Sequence, residues 1–232
     1  MTVLGIIPAR GGSQSIPRKN LALLRGRPLI TYTFDAAEQS SRLDRVILST
    51  DDPEIASVAK NCRVDVPFLR PAALSSNDTP MVAVVAHAVS WMAGHSDMAP
   101  DVIVLLQPTS PLRLSADIDT AVDLLLSGNA DTVVSVVQVP HQFTPSSLME
   151  MNDGFLAPLS VDTPILRRQD KPRVFARNGP AVLVLRRAVL ESGTLYGQRI
   201  LPLLMPHDRS VDIDEPTDLA LAEFWIDRAS SR

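Results

Sequence analysis

The chain has 232 residues, of which 45% are hydrophobic and 21% charged, and its formal net charge is −4. These values are typical of a folded globular protein and exclude disordered and fibrous classes, while the negative charge argues against nucleic acid or an anionic membrane as a partner. The only cysteine, Cys62, excludes an intramolecular disulfide and fits a reducing compartment. No apolar run comes close to the roughly 20 residues of a membrane span, and no signal peptide is evident. We therefore expect a cytoplasmic, non-membrane protein with one domain over residues 1–232.

Predicted strands and helices alternate through the first 140 residues. Apolar stretches predict strands at 2–9, 46–49, 101–112 and 131–139. Helical spacing predicts helices at 28–40, 52–60, 79–93 and 115–128. Asp52 and Ser115 are predicted helix caps, and Gly128 should end the last of these helices. This alternation predicts an α/β fold with a mostly parallel sheet that is covered on both faces.

The pattern changes from about 140 to 175, where prolines and polar residues interrupt it, and we expect short strands and loops there, as a subdomain inserted into the main fold. A strand and a helix follow in 181–192, and a short strand, a turn and a terminal helix in 210–229. Ligands of parallel α/β sheets lie beyond the carboxyl ends of the strands. The polar segments at strand ends therefore predict one binding rim, formed by residues 8–20, 49–52, 107–111 and 212–214.

The first of these segments, "ARGGSQSIPRKN", has the composition of a loop that binds a polyanion. Gly11 and Gly12 allow close approach of the backbone, whose N–H groups can bind phosphate oxygens. Arg10, Arg18 and Lys19 add positive charge, and Ser13 and Asn20 add hydrogen bonds. The spacing matches neither common phosphate-loop motif, so a solvated turn with scattered charges remains the alternative.

Two further segments carry polar groups that suit a binding site. Asp212 and Asp214 alternate, so on a strand both would share one face and suit a divalent cation such as Mg²⁺; an exposed strand edge is the alternative. Gln107, Thr109 and Ser110 lie at a predicted strand tip and suit a base edge or a sugar hydroxyl, although an ordinary turn explains them equally well. No arrangement of a nucleophile with a base stands out.

Seven segments in order, spanning nearly the whole chain, resemble the acylneuraminate cytidylyltransferase (CMP-sialic acid synthetase) family. They are "IIPARGGSQSIPRKN", "PLITYTFDAA", "DRVILSTDDPEIASVAK", "VPFLRPAALSSNDT", "LLQPTSPLR", "RNGPAVLVLRR" and "SVDIDEPTDLALAE". The resemblance implies a Rossmann-like nucleotidyltransferase fold with a small dimerisation subdomain at about 140–175, hence a homodimer. It also implies transfer of CMP from CTP to a nine-carbon 2-keto sugar acid, with pyrophosphate release and a requirement for Mg²⁺.

The same resemblance assigns roles to individual residues. The catalytic residues would be Arg10, Lys19 and Asp212, with Asp212 helping to deprotonate the sugar hydroxyl and holding Mg²⁺ together with Asp214. The triphosphate would contact the opening loop through Ala9, Arg10, Gly11, Gly12, Ser13, Lys19 and Asn20. The nucleotide would lie near Arg70 and 49–51, and the sugar acid near Gln107, Thr109, Ser110, Asn178 and Gly179. Arg168 would reach across the dimer interface into the partner's site.

The chain departs from the family pattern at three places. Gln14-Ser15 stands where the family usually has Lys-Gly, residues 80–82 replace small hydroxyl residues, and Pro180 replaces an alanine. The first change removes one positive charge from the phosphates. These departures keep two alternatives open: a nucleotidyltransferase of the same fold that uses another nucleotide, such as GTP, or another acceptor, and a catalytically weakened nucleotide-binding homologue.

Overall fold

A computed structural model describes residues 1–13, 15–96, 98–159, 167, 169, 171–179 and 181–230. Gln14, Arg168 and Pro180, which the sequence analysis singled out, therefore lie outside the described residues. The strands in the described part are β1 (Val3–Pro8), β2 (Leu23–Leu24), β3 (Arg27–Pro28), β4 (Arg45–Ser49), β5 (Val102–Leu105), β6 (Thr132–Gln138), β7 (Met149–Asn152), β8 (Phe155–Pro158), β9 (Phe175–Arg177), β10 (Leu183–Arg186) and β11 (Ile200–Leu204). The helices are α1 (Leu29–Glu38), α2 (Pro53–Val58), α3 (Met81–His95), α4 (Ser115–Ser127), α5 (Arg187–Glu191) and α6 (Pro216–Ser230).

The central sheet of the described chain has seven strands in the order β11-β6-β10-β5-β1-β4, with β9 paired to β6. Strand β1 runs parallel to both neighbours, so that Ile6 faces Ile47 on one side and Leu105 on the other. Strand β9 is antiparallel to β6, and β10 is antiparallel to both of its neighbours, β5 and β6. Strand β11 is parallel to β6. The predicted mostly parallel α/β fold is thus confirmed, and the carboxyl ends of β4, β1 and β5 meet at one rim.

Helices cover both faces of the sheet, because the central strands are apolar on both sides. On one face, Ile30 and Phe34 of α1 and Leu125 of α4 pack into a buried cluster. On the other, Val85 and Met92 of α3 form a second cluster with inward-facing strand residues. Burial on both faces holds the strand ends in fixed relative positions, which is what the rim requires.

Three sequence predictions need correction. Residues 210–214 are irregular rather than a strand, and β11 was not predicted. Leu114, not Ser115, is the cap of α4, because the Asp117 carboxylate accepts a hydrogen bond from the Leu114 N–H at 2.9 Å. The other predicted cap is confirmed, since the Asp52 carboxylate accepts from the N–H groups of Glu54 and Ile55 at the start of α2.

In the described part of the 140–175 segment, the strands β7 and β8 pair only with each other, and β9 pairs with β6 of the main sheet. The segment holds short 3₁₀ turns and the β7–β8 hairpin, in which Met151 faces Leu156. Its hairpin strands are exposed on both faces. None of the helices in the described ranges has the length and apolar character needed to cross a membrane.

Candidate active site

The loop after β1 is braced by its own side chains and by the next strand. Ser13 Oγ accepts a hydrogen bond from the Lys19 N–H at 2.9 Å and donates to the carbonyl of Ile16. Asn20 Nδ2 donates to the carbonyl of Arg10 at 2.9 Å. These contacts tie Arg10 and Ser13 to residues 16–20, which preorganises this part of the loop.

Gly11 is required where this loop passes the end of β4. Its N–H donates to Asp51 Oδ1 at 3.0 Å, and a Cβ at this position would lie 2.6 Å from Asp52 Oδ2. A side chain there would therefore push the loop away from the rim. Because Asp51 takes the Gly11 N–H, the backbone donors for a phosphate must come from other positions in the loop.

The cations that were predicted in this loop point in different directions. Arg18 pairs with Asp52 at 3.0 Å and with Glu54 at 2.6 Å, which ties the loop to α2, and it does not line the cavity described below. The prediction that Arg18 adds charge for a polyanion is therefore wrong for this arrangement. Arg10 instead reaches across the rim and donates to the Ser76 carbonyl at 3.1 Å.

Lys19 joins the start of the chain to its end. Its Nζ donates to the carbonyl of Ile213 at 2.8 Å and to Asp214 Oδ1 at 2.9 Å. The Lys19 side chain is only 11% exposed, whereas that of Asp214 is 74% exposed. The predicted meeting of the basic loop with the acidic pair is thus what the structure shows, with 195 positions of sequence between these two residues.

Three segments at the other side of the rim are tied together by hydrogen bonds. The Ile213 N–H donates to the Thr109 carbonyl at 2.8 Å. Asn178 Nδ2 donates to Ser210 Oγ at 2.9 Å, and the Asn178 carbonyl accepts from Ser110 Oγ at 3.4 Å. The segments 107–111, 178–179 and 210–214 therefore form one connected unit beside the opening loop.

Asp212 lies against the backbone of Gly179. A Cβ on Gly179 would be 2.3 Å from the Asp212 carboxyl carbon, and Gly179 has φ +81°. Asp212 Oδ1 is buried without a hydrogen-bond partner among the described residues. Burial raises the pKa of Asp212, the Thr109 side chain opposes this by hydrogen bonding, and the nearby Asp214 carboxylate raises it further.

This close approach leads to a prediction about stability. Replacing Gly179 with alanine should cost about 1–2 kcal/mol for the left-handed backbone and a further ~1–3 kcal/mol for the contact with Asp212. Gly193 is a matched control, because it has the same φ of +81° and a Cβ there would meet nothing within 4 Å. Urea denaturation should show the larger loss for Gly179→Ala, and equal losses would contradict the contact.

Arg70 is placed beside the tip of β4 by its backbone, whose N–H donates to the Thr50 carbonyl at 2.7 Å. Its side chain is almost fully buried, and its Nη2 lies 3.8 Å from Asp51 Oδ1. Two of its nitrogens, Nε and Nη2, have no hydrogen-bond partner in the described chain. Burial lowers the pKa of Arg70, which Asp51 opposes and Arg10 reinforces. A buried cation with unused donors is suited to an anionic ligand.

These elements surround a cavity of about 420 Å³ at the rim. The predicted site residues that line it are Arg10, Gly12, Ser13, Lys19, Asn20, Arg70, Gln107, Thr109 and Asp214. Six others lie behind its wall or beside it, namely Ala9, Gly11, Ser110, Asn178, Gly179 and Asp212. The structure thus brings the predicted residues that it describes to one place, where nine line the cavity and six lie behind or beside its wall.

The cavity has a further wall that the sequence analysis did not assign. It is formed by Leu74, Ser76, Asn77, Thr79, Met81 and Val84, from the segment that leads into α3. The polar run "SSNDT" next to Arg70 was the available signal. Met81 and Val84 make part of this wall apolar, which suits the face of a nucleotide base.

A second cavity, of about 800 Å³, lies between β6, β9 and the segment that follows Gln138. Four of its lining residues are basic, namely His141, Lys171, Arg173 and His207. Met205 also lines it, and its Sδ lies 3.3 Å from Asn178 Nδ2, which connects this cavity to the unit around Asp212. The sequence analysis missed this cluster, although "RRQDKPR" was a visible basic run.

The acidic pair could hold a divalent cation only together with other ligands. No group of three or more His, Cys, Asp or Glu side chains in the described ranges is arranged to hold a metal ion by itself. Mg²⁺ commonly takes only one or two carboxylates together with substrate phosphates and water. The Oδ1 of Asp212, which has no hydrogen-bond partner within the described ranges, and the largely exposed carboxylate of Asp214 fit that role.

The comparisons with known proteins agree with this geometry. The chain is 32% identical over 225 residues to CMP-N,N'-diacetyllegionaminic acid synthase of Legionella pneumophila, with 96% of this chain and 95% of the relative covered. It is 28% identical over 224 residues to pseudaminic acid cytidylyltransferase of Campylobacter jejuni, with 97% and 96% covered. N-acylneuraminate cytidylyltransferase of Escherichia coli is 30% identical over 95% of this chain, which corresponds to 51% of that longer protein.

Solved structures of lower sequence identity share the fold. CMP:2-keto-3-deoxy-manno-octonic acid synthetase complexed with CTP has a TM-score of 0.72 at 16% identity, covering 99% of this chain and 100% of the other. The 4-diphosphocytidyl-2C-methyl-D-erythritol synthase of Anaerococcus prevotii has a TM-score of 0.67 at 11% identity, covering 98% and 99%. The profile of the family described as Cytidylyltransferase matches residues 4–224. The chain therefore belongs to the cytidylyltransferase family.

Proposed function

We propose that this protein transfers CMP from CTP to a nonulosonic acid, a nine-carbon 2-keto sugar acid, and releases pyrophosphate. The observation that carries the proposal is the contact of Lys19 with Asp214, which joins a cationic glycine loop to an acidic pair at one cavity. Relatives of nearly equal length act, by their names, on legionaminic and pseudaminic acids. Their names support a nonulosonic acid as the acceptor.

The triphosphate would occupy the cavity beside the opening loop. Arg10, Lys19 and Arg70 bring three positive charges to this cavity. Hydrogen bonds to Asn20 and Ser13 hold the backbones of Arg10 and Lys19, and the Thr50 carbonyl holds that of Arg70. Charge-assisted hydrogen bonds to phosphate are about twice as strong as neutral ones. The apolar surface of Met81 and Val84 would then pack against the base.

We place Mg²⁺ at Asp212 and Asp214, where it would neutralise charge on the phosphates. The binding of the ion can be tested apart from turnover. The melting temperature of the protein with CTP should rise further when Mg²⁺ is added, and this additional rise should be lost in the variant Asp214→Asn. An equal rise in the variant would argue against the assignment.

The acceptor would enter from the second cavity, whose basic residues suit the carboxylate of a sugar acid. Its anomeric hydroxyl attacks the α-phosphorus of CTP, forming the new phosphorus–oxygen bond while the bond to pyrophosphate breaks. Asp212 is the group that we assign to accept the hydroxyl proton. The buried Oδ1 of Asp212, which has no hydrogen-bond partner among the described residues, supports this role, because it has a free lone pair for the proton.

The direct test is a pyrophosphate-release assay of the purified protein with four nucleoside triphosphates and a panel of 2-keto sugar acids. We expect release only when CTP and a nonulosonic acid are present together. Release with an eight-carbon acid alone, or with no pair at all, would contradict the proposal. The sequence has one cysteine, Cys62, so the fold does not depend on an intramolecular disulfide or on an oxidising compartment. We therefore propose the cytoplasm as the location of this reaction.

Another nucleotide is the alternative that a specific observation favours. Met81 lines the cavity at a place where the family resemblance leads us to expect small hydroxyl residues. A thioether cannot replace their hydrogen bonds to a base edge. Release of pyrophosphate with GTP in the same assay would establish this alternative in place of CTP.

We also propose that the β7–β8 hairpin forms a homodimer interface. Its large apolar side chains are exposed, with Met151 at 72% and Phe155 at 79%. Met151 and Leu156 face each other on one side of the hairpin, and Phe155 lies on the other side. Exposed apolar side chains of this size mark an interaction site. Burying these side chains against a second copy would remove them from water.

This proposal predicts the effect of a charge on the hairpin. Phe155→Asp should convert the dimer to a monomer, because a carboxylate would have to be buried without a partner. Sedimentation velocity would measure the change. Phe224→Asp on α6 is a matched control, since Phe224 is 52% exposed and lies outside the hairpin. A Phe155→Asp protein that keeps the wild-type sedimentation coefficient would contradict the interface.

A further inference from the structure

Arg113 is an unusual residue to find inside this fold. It is 2% exposed and lies between α1, the end of β5 and the start of β10. Burial lowers the pKa of its guanidinium to about 9, so it stays charged at neutral pH, and Asp117 opposes the shift. Burying a charge is costly, and well-packed apolar residues often stabilise a core as well or better. Stability alone therefore gives little reason for an arginine at this position.

Its hydrogen bonds connect the segments that carry the site. Nη1 and Nη2 each donate to the Gln107 carbonyl at 3.2 Å. Nη1 also donates to the Ala181 carbonyl, and Nη2 donates to Thr33 Oγ1 at 2.5 Å. One planar group thus joins the loop that begins at Gln107 to the chain just after Gly179, with Thr33 of α1 as the fixed support.

A second, partly buried ion pair extends the same connection. Asp117, in the first turn of α4, accepts a hydrogen bond from Arg209 Nη1. Arg209 lies immediately before the segment 210–214 that carries the acidic pair. Asp117 also accepts from the Leu114 N–H, one residue after Arg113. Arg113 and Asp117, neither of which lines the cavity at the rim, therefore connect the segments 107–111, 178–179 and 210–214 to one another.

We propose that Arg113 is a positioning residue for the acceptor side of the reaction, which fixes Gln107 and the Asn178–Gly179 turn relative to Asp212. Arg113 does not line the cavity at the rim, so it acts through the residues that it holds. A misplacement of reacting groups by about 1 Å is able to cost about 100-fold in rate. This inference rests on the proposed function, because the acceptor side is defined by it.

Arg186 provides a control that separates positioning from support of the fold. It also holds backbone carbonyls, with Nε donating to Ala130 and Nη2 to Leu125, both at 2.9 Å. Arg186 faces Val102 at the start of β5, whereas Leu183 faces Leu105 at the carboxyl end of that strand. The two arginines thus hold opposite ends of β10, and only Arg113 is at the rim.

The experiment compares Arg113→Met, Arg113→Lys and Arg186→Met with the wild type, using thermal melting, the dissociation constant of CTP, and kcat and KM for the sugar acid. We expect Arg113→Met to lower kcat/KM for the acid about 100-fold while CTP affinity stays near the wild-type value. Arg113→Lys should recover part of kcat, because an ammonium retains the charge and some of the donors. Arg186→Met should lower the melting temperature but leave both kinetic constants near the wild type.

The outcomes are distinct. Wild-type kinetics in a folded Arg113→Met protein, or equal kinetic losses in Arg113→Met and Arg186→Met, would overturn the inference. If Arg113→Met fails to fold, Arg113→Lys decides, and wild-type kinetics in that variant would overturn the inference. A wild type that releases no pyrophosphate with any pair refutes the proposed function and this inference with it. Turnover by the wild type that Arg113→Met fully retains refutes the inference alone.

Discussion

Replacing Lys19 with methionine is expected to lower kcat/KM for CTP by about 1,000-fold, because it removes a preorganised cation from the place where charge builds up on the phosphates. The ammonium is held by the Ile213 carbonyl and by Asp214 beside the cavity, so its position is preorganised for the triphosphate. Methionine keeps most of the length of the side chain and loses the charge. Pyrophosphate release at several CTP concentrations measures the change.

Lys19 also connects two distant parts of the chain, and a double-mutant cycle separates that structural contact from its contribution to catalysis. Asp214→Asn removes the ion pair while leaving the lysine, and the double variant completes a cycle. A lysine that served only to hold Asp214 would make the double variant no worse than Asp214→Asn alone. We expect instead that the double variant loses clearly more activity than Asp214→Asn alone.

The melting temperature of Lys19→Met tests its structural role independently of activity. Ion pairs of exposed groups contribute about 0–1 kcal/mol, and Asp214 is largely exposed. We therefore expect the melting temperature of Lys19→Met to remain close to that of the wild type. Lys60→Met, on the surface after α2, is a matched control for the loss of one positive charge. If Lys60→Met reduced activity as strongly, net charge rather than position would explain the loss.

The position of the site was predictable because it follows from the order of strands along the chain. Apolar runs such as 2–9 and 101–106 indicate strands buried on both faces, and parallel neighbours necessarily bring their carboxyl ends to one edge. Gly11 and Lys19 follow one such end, and Gln107 follows another. The rim could thus be derived from local patterns together with the connection rule for α/β folds.

The arrangement of the acidic pair was not predictable in the same way. Alternation over 210–214 favoured a strand, but this segment is held by single contacts, such as the Ile213 N–H with the Thr109 carbonyl. Those contacts depend on residues about 100 positions away, which no local period reveals. Strand β11 was missed for a related reason: it contains Pro202 and lies at the edge of the sheet, where pairing with β6 outweighs a weak propensity.

Replacing Asp212 with asparagine is expected to lower kcat by about 10²–10⁴-fold, which is the usual contribution of a positioned general base. The amide is nearly the same size as the carboxyl, so it fits against Gly179, but it is not able to accept the proton or bind a cation as strongly. The rate should be compared at saturating CTP and sugar acid, because the expected loss is in the chemical step. Asp208→Asn is a matched control, since Asp208 is a half-buried acid two residues before the 210–214 segment and also has a buried oxygen without a partner in the described chain.

The pattern of losses would show what Asp212 does. A base that only accepts the proton would leave the CTP dissociation constant unchanged in Asp212→Asn and lower kcat alone. A residue that holds Mg²⁺ as well should also reduce the extra melting-temperature rise that Mg²⁺ gives with CTP. We expect both effects, because Asp212 Oδ1 is buried without a hydrogen-bond partner in the described chain and Asp212 is close to the exposed Asp214. Wild-type kcat in Asp212→Asn would remove the base from the mechanism, and the acidic pair would then serve the cation alone.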